Sequence, residues 1–253
     1  MASAEVYASP TVKQVIFQVR YANLFYLEQV IGDYQKAIMK QFPESELIIH
    51  QKLVFQDIGP EIRRETPVET SSPAIKIWRF KSPDGVVLNV LPDSLDLSST
   101  AHKTYNAPGD HRRFRDAIQF AVDRFLELTS LPTLKRIGLR YIDECPLPAD
   151  NAMFTEWYNT AFPLDRFNVD NASELAFVVH TQKSPGNFLR FAESYRVLEG
   201  VPQYTLDFDG HTENVPSERY LPVTDILHEI IDVEWRASLR EPVFQLMRRP
   251  PGE

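Results

Sequence analysis

Apolar residues recur along the chain at two spacings, which predict alternating strands and helices. The run VKQVIFQVRY at residues 12–21 is rich in β-branched and aromatic residues, as strands are. From residue 24 to residue 42 apolar side chains return every three or four positions, the period of one helix face, and Pro43 ends the pattern. Residues 47–55 predict a second strand, and the polar segment 57–73 has the Pro, Glu, Thr and Ser content of a surface loop.

A hairpin signal lies in the middle of the chain. The sequence Ser-Pro-Asp-Gly at 82–85 separates two apolar runs, so we expect antiparallel strands at 75–80 and 86–90 joined by a tight turn. The second strand is expected to continue through residues 91–100 past a break at Pro92, because proline cannot donate a hydrogen bond to the ladder.

A helix ends the first half of the chain, and the order of elements then repeats. Asp110 is expected to cap this helix, whose apolar period reaches Leu128. Beyond it the pattern predicts a strand at 134–141, a short aromatic helix at 154–162, strands at 175–181, 188–195 and 204–208, and a last helix at 226–235. These elements predict an α+β fold, with an extended antiparallel sheet and long helices packed on one face. Our hypothesis is a single domain over 1–253, made of two similar β-α-β-β-β-α halves at 10–131 and 132–241.

Composition and charge narrow the class of protein. The 253 residues are 43% hydrophobic and 25% charged, which is typical of a globular protein with a core that needs no disulfide. The single cysteine, Cys145, favours a reducing compartment, so we predict a cytoplasmic protein. We expect neither secretion nor membrane insertion, because residues 1–10 show no basic region followed by an apolar stretch and no window approaches the apolar length of a membrane span. A formal charge of −8 opposes binding to nucleic acid, so neither nucleic acid nor a membrane is an expected partner.

Three residues near the end of the chain offer the donor atoms of a metal site. Asp207, Asp209 and His211 occupy alternate positions of a predicted strand and therefore point to the same side. Two carboxylates and an imidazole suit Mn, Fe or Zn, with positions left for water or substrate. The competing interpretation is a solvent-facing polar side of an amphipathic strand, and the sequence favours it because no fourth ligand is in view.

Two arginines end two strands of similar sequence. Arg20 lies in Val-Arg-Tyr and Arg140 in Leu-Arg-Tyr, each followed by a tyrosine that could orient it, and guanidinium groups at strand ends suit an anion or an acidic partner. The alternative is structural, with the apolar stems lying over the core and the charged tips in water. A basic run at 110–113 offers a similar anion site at a helix start, or simply a charged first turn.

An aromatic cluster predicts a docking surface. Its four members lie in one short amphipathic segment flanked by prolines: Phe154, Trp157, Tyr158 and Phe162. Aromatic side chains dominate interface energetics, although aromatic residues at helical spacing are more often part of a core. Other candidates are weaker, since His228 has no HExxH partner and Cys145 has no basic neighbour to activate it.

Three segments resemble a sporadically distributed family of uncharacterised bacterial proteins of about this length. The segments are VKQVIFQVRY, WRFKSPDGVVLNVLPDSLDLSST and LKRIGLRYIDE, and the resemblance runs along nearly the whole chain. No activity or site residue is established for that family, so the resemblance assigns none here. Patchy distribution is typical of genes on mobile cassettes, among which antiviral-defence systems are common. The resemblance therefore associates the chain with such a cassette.

The leading hypothesis from the sequence is a non-catalytic accessory, sensor or protein-interaction subunit that acts with another protein and needs no cofactor. It depends on the absence of a phosphate-binding loop, a nucleophile elbow and a CxxC pair, together with the acidic charge. Two alternatives stay open. One is a metal-dependent enzyme or nuclease that uses Asp207, Asp209 and His211, and the other is a small-molecule binding domain with an apolar pocket between helices and sheet.

Overall fold

A computed structural model of the chain describes residues 7–50, 74–106, 113–148, 154–167 and 169–250. The described residues form an α+β fold with nine strands and five α-helices. The strands are β1 (Val12–Arg20), β2 (Glu44–His50), β3 (Ile75–Lys81), β4 (Val86–Val90), β5 (Ser94–Ser99), β6 (Thr133–Cys145), β7 (Glu174–Ser184), β8 (Asn187–Leu198) and β9 (Val201–Pro216). The helices are α1 (Leu27–Ile38), α2 (Phe114–Thr129), α3 (Phe154–Trp157), α4 (Tyr220–Ser238) and α5 (Glu241–Arg248).

All nine strands belong to one antiparallel sheet, in the order β2-β3-β4-β5-β1-β6-β9-β8-β7. The first strand of each predicted half, β1 and β6, pair with each other in the middle. In their register Ile16 lies opposite Arg140 and Arg20 lies opposite Arg136. The later strands of each half continue the sheet outward on its own side. The extended antiparallel sheet is confirmed, and the similarity of the halves stays a prediction.

The core lies between one face of the sheet and the helices. On β1, Val15, Phe17 and Val19 are fully buried, whereas the residues between them are half-buried or exposed. This alternation places every second side chain of the strand against the helices. Helix α4 packs so closely on β9 that a Cβ atom added to Gly210 would lie 3.3 Å from Ile231 Cδ1.

Helices α1 and α2 cover the other end of the same face. The Tyr34 hydroxyl of α1 donates to the Ala121 carbonyl of α2 at 2.9 Å, and its ring packs edge-on against Phe80 of β3 and Phe125 of α2. Burial of these large rings is the main stabilising contribution of this layer. Within the described ranges, no helix is long and apolar enough to cross a membrane.

Several predicted elements have different bounds in the structure. Strand β4 ends at Val90 instead of continuing, because the Leu91 amide donates to the Ser94 carbonyl at 2.8 Å and turns the chain into β5. Strand β9 is longer than the predicted 204–208, since it pairs along its length with both β6 and β8. Helix α5 was not predicted. The proposed cap Asp110, residues 51–55 and the loop 57–73 lie outside the described residues, and α2 begins after Arg113 without a side-chain cap.

Candidate binding site on the polar face of the sheet

The face of the sheet turned away from the helices carries charged and polar side chains, and we call it the polar face. Its central members occupy alternate positions on three neighbouring strands, between buried residues that face the helices. They are Ile16, Gln18 and Arg20 on β1, Arg136, Gly138 and Arg140 on β6, and Asp207, Asp209 and His211 on β9.

Asp207 is held between two arginines from the strands on either side of it. Arg140 on β6 donates from Nε to Oδ1 at 2.7 Å and from Nη2 to Oδ2 at 2.8 Å. Arg190 on β8 donates from Nη1 to Oδ2 at 3.0 Å. Hydrogen bonding to Asp207 raises the pKa of Arg140, so this guanidinium stays charged. The bidentate geometry gives both strength and a fixed direction to this contact.

Asp209 is bound by a third arginine that crosses a glycine. Nη2 of Arg136 donates to both carboxylate oxygens of Asp209, at 2.8 and 3.0 Å. The guanidinium lies directly over Gly138, where an added Cβ atom would be 2.3 Å from Arg136 Nη1. The absence of a side chain at Gly138 is therefore what lets Arg136 reach along its own strand to Asp209.

Arg20 differs from the other arginines of the polar face. Its Nε donates to Gln18 Oε1 at 2.9 Å, and among the described residues it forms no ion pair. It lies directly opposite Arg136 on β6 and opposite Ser94 on β5. Like charges directly opposite each other destabilise a sheet. On its other side, away from β1, Arg136 lies opposite the exposed Glu213 of β9.

These side chains surround a depression of about 300 Å³ in the middle of the sheet. Its lining residues come from the three central strands: Ile16, Gln18, Arg20, Arg136, Gly138, Arg140 and Asp209. Among the three guanidinium groups of the lining, Arg136 is paired with Asp209 and Arg140 with Asp207, whereas Arg20 has no ion pair among the described residues. Arg20 therefore leaves a positive charge at the depression, which attracts an anionic group at short range.

The structure brings Arg20 and Arg140, the two arginines selected from the sequence, into one depression. Sequence reasoning missed Arg136 as a site residue. A signal was present, because Arg136, Gly138 and Arg140 stand at alternate positions of one strand and so share a face. Their carboxylate partners, about seventy residues later, could not be assigned without the register of β6 and β9.

The predicted metal ligands do not form a metal site in the described structure. Asp207 and Asp209 direct their oxygens at guanidinium groups, which occupy the position of a cation. His211 stacks on Phe188 instead, with ring centroids 5.5 Å apart, and its buried Nδ1 has no hydrogen-bond partner among the described residues. Within the described part of the chain no group of three His, Cys, Asp or Glu residues could hold a metal ion.

The aromatic segment is part of the core, which corrects the predicted docking surface. Phe154, Tyr158 and Phe162 are buried, and all three rings pack around Tyr204 with centroid distances from 4.6 to 6.3 Å. Trp157 is partly buried against the same core. Burial of the rings leaves little aromatic surface for a partner. The alternative interpretation, that aromatic residues at helical spacing fill a core, describes them correctly.

The remaining candidates are also buried or paired. Burial raises the pKa of the Cys145 thiol well above its usual range, which disfavours a thiolate nucleophile. Burial lowers the pKa of His228, whose Nδ1 lies 3.2 Å from the Tyr141 hydroxyl. Of the basic run at 110–113, only Arg113 lies within the described residues, and it pairs with Asp116 at 2.8 Å.

A buried carboxylate lies on the helix side of β6. Asp143 is fully buried, and its Oδ1 accepts hydrogen bonds from Thr11 Oγ1 at 2.6 Å and Trp235 Nε1 at 2.9 Å. Its Oδ2 has no partner within the described residues. Desolvation raises the pKa of Asp143 to about 6. It lies on the opposite side of the sheet from the arginine depression, so it does not contribute to that site.

Comparison of the chain with protein-family models, with curated proteins and with solved structures gave no match. The resemblance described from the sequence therefore stays a prediction, and the geometry of the polar face is the basis for the proposals below.

Proposed function

We propose that the chain is a non-catalytic accessory or sensor subunit that binds another protein through the polar face of its sheet. The observation that carries this proposal is Arg20, a guanidinium that lies opposite Arg136 at the depression and has no carboxylate partner among the described residues. Two neighbouring like charges are unfavourable in the isolated protein. An acidic group from a partner relieves that repulsion on binding.

The groups that line the depression suit binding better than catalysis. General acid-base catalysis uses groups whose pKa lies near the working pH. Arginine stays protonated in proteins, and the ion pair with Asp207 raises the pKa of Arg140 further. Asp209 already accepts hydrogen bonds from Arg136 at both oxygens. The lining therefore offers fixed positive charge and hydrogen-bond donors.

A protein partner with acidic side chains fits this surface. Arginine is enriched in protein interfaces because its planar group makes several directed hydrogen bonds and also packs on apolar surface. The depression combines three arginines with the apolar side chain of Ile16 and the amide of Gln18. This is the mixture of charge, polarity and apolar contact that an interface uses.

The two alternative functions have less support. The metal-dependent enzyme needs Asp207 and Asp209 as ligands, and both are engaged by arginines. The small-molecule domain needs an apolar pocket between helices and sheet. At the centre of that interface Phe17, Leu139 and Phe208 are fully buried within a continuous hydrophobic cluster.

The test is recovery of partners from cells that naturally produce the protein, with tagged wild type, Arg20→Glu and Arg124→Glu quantified side by side. Arg124 is a matched control because it is an exposed arginine of α2, on the helix side of the molecule, and the same substitution changes its charge equally. We expect one protein to be enriched with wild type and R124E and lost with R20E. Equal recovery by R20E and R124E, with both variants folded, would contradict the proposal.

A further inference from the structure

The polar face contains an arginine clamp that is already filled by a carboxylate. Asp207 on β9 lies between Arg140 on β6 and Arg190 on β8, and it accepts three hydrogen bonds of 2.7 to 3.0 Å from them. Its side chain is only 13% exposed, so this charge is largely removed from water and relies on the two guanidinium groups. The same face therefore shows how two arginines on separate strands hold one carboxylate.

Arg20 and Arg136 form a second arginine pair, on the adjacent strands β1 and β6. Arg20 uses Nε for Gln18, and within the described residues its two terminal nitrogens make no hydrogen bond. Arg136 uses Nη2 for Asp209. The two terminal nitrogens of Arg20 can each donate to one oxygen of a carboxylate, whereas Arg140 binds Asp207 through Nε and Nη2.

The guanidinium of Arg136 lies over Gly138 in the middle of the depression, where Gly138 itself adds no side chain. Gln18 on β1, opposite Gly138, accepts the hydrogen bond from Arg20 Nε. The side chains of Arg20 and Arg136 therefore extend the same way along their strands. The lining extends along β6 from Arg136 to Arg140, four residues apart, which is about 13 Å between Cα atoms in a strand. The guanidinium groups of both arginines are directed at carboxylates of β9.

We propose that Arg20 and Arg136 bind a side-chain carboxylate of the partner, and that the partner segment is an extended chain with acidic residues at alternate positions. This inference rests on the proposed function and names the chemistry of its contact. Alternate residues of an extended segment share a face, so an acidic side chain that reaches Arg20 has neighbours two positions away that lie over the same polar face. The Ile16 side chain, opposite Arg140, packs against the apolar stems of the segment.

A defined peptide tests this chemistry with the full-length protein. The probe is a fluorescent, acetylated and amidated peptide in which glutamate alternates with serine, and the control peptide has glutamine in place of glutamate. A third peptide has neutral side chains and a free C-terminal carboxylate. We expect only the glutamate peptide to raise fluorescence anisotropy, with binding that weakens as salt is added.

Single substitutions then locate the peptide. Arg20→Ala removes a charge-assisted contact and is expected to raise the dissociation constant of the peptide by about tenfold or more. Arg20→Lys keeps the charge but loses the fork, so its affinity should lie between those of wild type and R20A. Arg124→Ala, on the helix side, is expected to bind like wild type. Circular dichroism of each variant checks that the fold is retained.

The outcomes separate this inference from the function on which it rests. Equal binding of the glutamate and glutamine peptides, or equal affinities of R20A and R124A, would overturn the carboxylate clamp. Binding of the free C-terminal peptide alone would overturn the side-chain source of the carboxylate. If the clamp fails while partner recovery still depends on Arg20, the proposed function stands with a different contact; if both fail, the polar face is not the docking surface.

Discussion

At the scale of single residues, burial decides the properties of the acidic side chains in this protein. Asp207 and Asp209 are largely buried but face guanidinium groups, whereas Asp143 is fully buried with only Thr11 and Trp235 as donors. A carboxylate with no cation nearby is easier to bury when protonated. The three aspartates therefore have different consequences for stability, although the sequence alone gives no sign of this.

Asp143 is expected to make the protein less stable as pH rises. Its folded-state pKa of about 6 lies above the ordinary value of 3.8, so the folded protein binds the proton more tightly than the unfolded chain does. The contribution to stability is complete below the ordinary pKa and is lost as pH rises through about 6, by about 3 kcal/mol in total. Asp143→Asn removes this titration.

Chemical denaturation of wild type and D143N across this pH range measures the effect. We expect the free energy of unfolding of wild type to fall relative to D143N between about pH 4 and about pH 7. Asp33→Asn, at an exposed aspartate of α1, is the control and should follow wild type. A constant difference between wild type and D143N at all pH values would show that Asp143 does not titrate as described.

Gly138 offers a second test at this scale. The methyl group of Gly138→Ala would overlap the guanidinium of Arg136, which must then leave Asp209. Because a flexible side chain can move, we expect a small loss of stability, about 1 kcal/mol, together with loss of the Arg136–Asp209 contact. Gly32→Ala in α1 has open space around its Cβ position and is the matched control. A G138A crystal structure with the ion pair intact would contradict this account.

At the scale of elements, one buried carboxylate fixes the segment that follows α3. Glu193 on β8 accepts hydrogen bonds from the Tyr204 hydroxyl at 2.7 Å, the Ala161 amide at 2.9 Å and the Thr160 hydroxyl. These donors hold residues 160–162 against the sheet, which buries the Phe162 ring. The segment is therefore a part of the core that is anchored by polar contacts.

Glu193→Ala is expected to destabilise the protein by about 2 kcal/mol, because it leaves the buried Tyr204 hydroxyl without an acceptor and removes two partly buried contacts, with Thr160 and Ala161. Amide hydrogen exchange should increase most in residues 158–162. Glu174→Ala is the control: Glu174 on β7 pairs with Arg196, and both side chains are more than half exposed, so its loss should have little effect. Similar losses for E193A and E174A would argue against the anchoring role.

The same scale shows which elements the sequence could predict. Strong alternation identified β1, β3 and β4, and the helical period identified α1, α2 and α4, although their ends shifted. Helix α5 was missed because only eight residues carry it, and its Phe244 packs against Trp235 of α4 and against Tyr7, which is distant in sequence. The break after β4 was misjudged because Pro92 marks a turn between neighbouring strands and not an interruption within one.

The candidate site could be predicted only in part, for a related reason. Alternation placed Asp207, Asp209 and His211 on one face, and matching strand ends selected Arg20 and Arg140. Which carboxylate meets which arginine depends on cross-strand register, and a shift of one residue would put the aspartates in the core. Register is set by the whole sheet, so the local sequence could not distinguish a metal ligand from the partner of an arginine.

At the scale of the whole molecule, β1 and β6 join the two ends of the sheet. Strand β1 pairs with β5 on one side and with β6 on the other, and β6 pairs with β9. The buried side chains of both ends belong to one hydrophobic cluster. Neither end can separate without breaking the central ladder and exposing that cluster.

We therefore expect the two ends of the sheet to unfold together in one transition. The tryptophans report each end, since Trp78 lies on β3 and Trp235 lies on α4. The variant W157F/W235F keeps Trp78, and its urea unfolding should have the same midpoint by fluorescence as by circular dichroism. The variant W78F/W157F keeps Trp235 and should show the same agreement.

Phe17→Ala, at the fully buried centre of β1, is expected to lower the free energy of unfolding by about 3 kcal/mol or more. The urea midpoints of both reporters should therefore fall together. If the Trp78 and Trp235 signals instead changed at different urea concentrations, the central ladder would not couple the two ends, and the polar depression between β1 and β6 would lie on a joint that opens independently of the rest of the sheet.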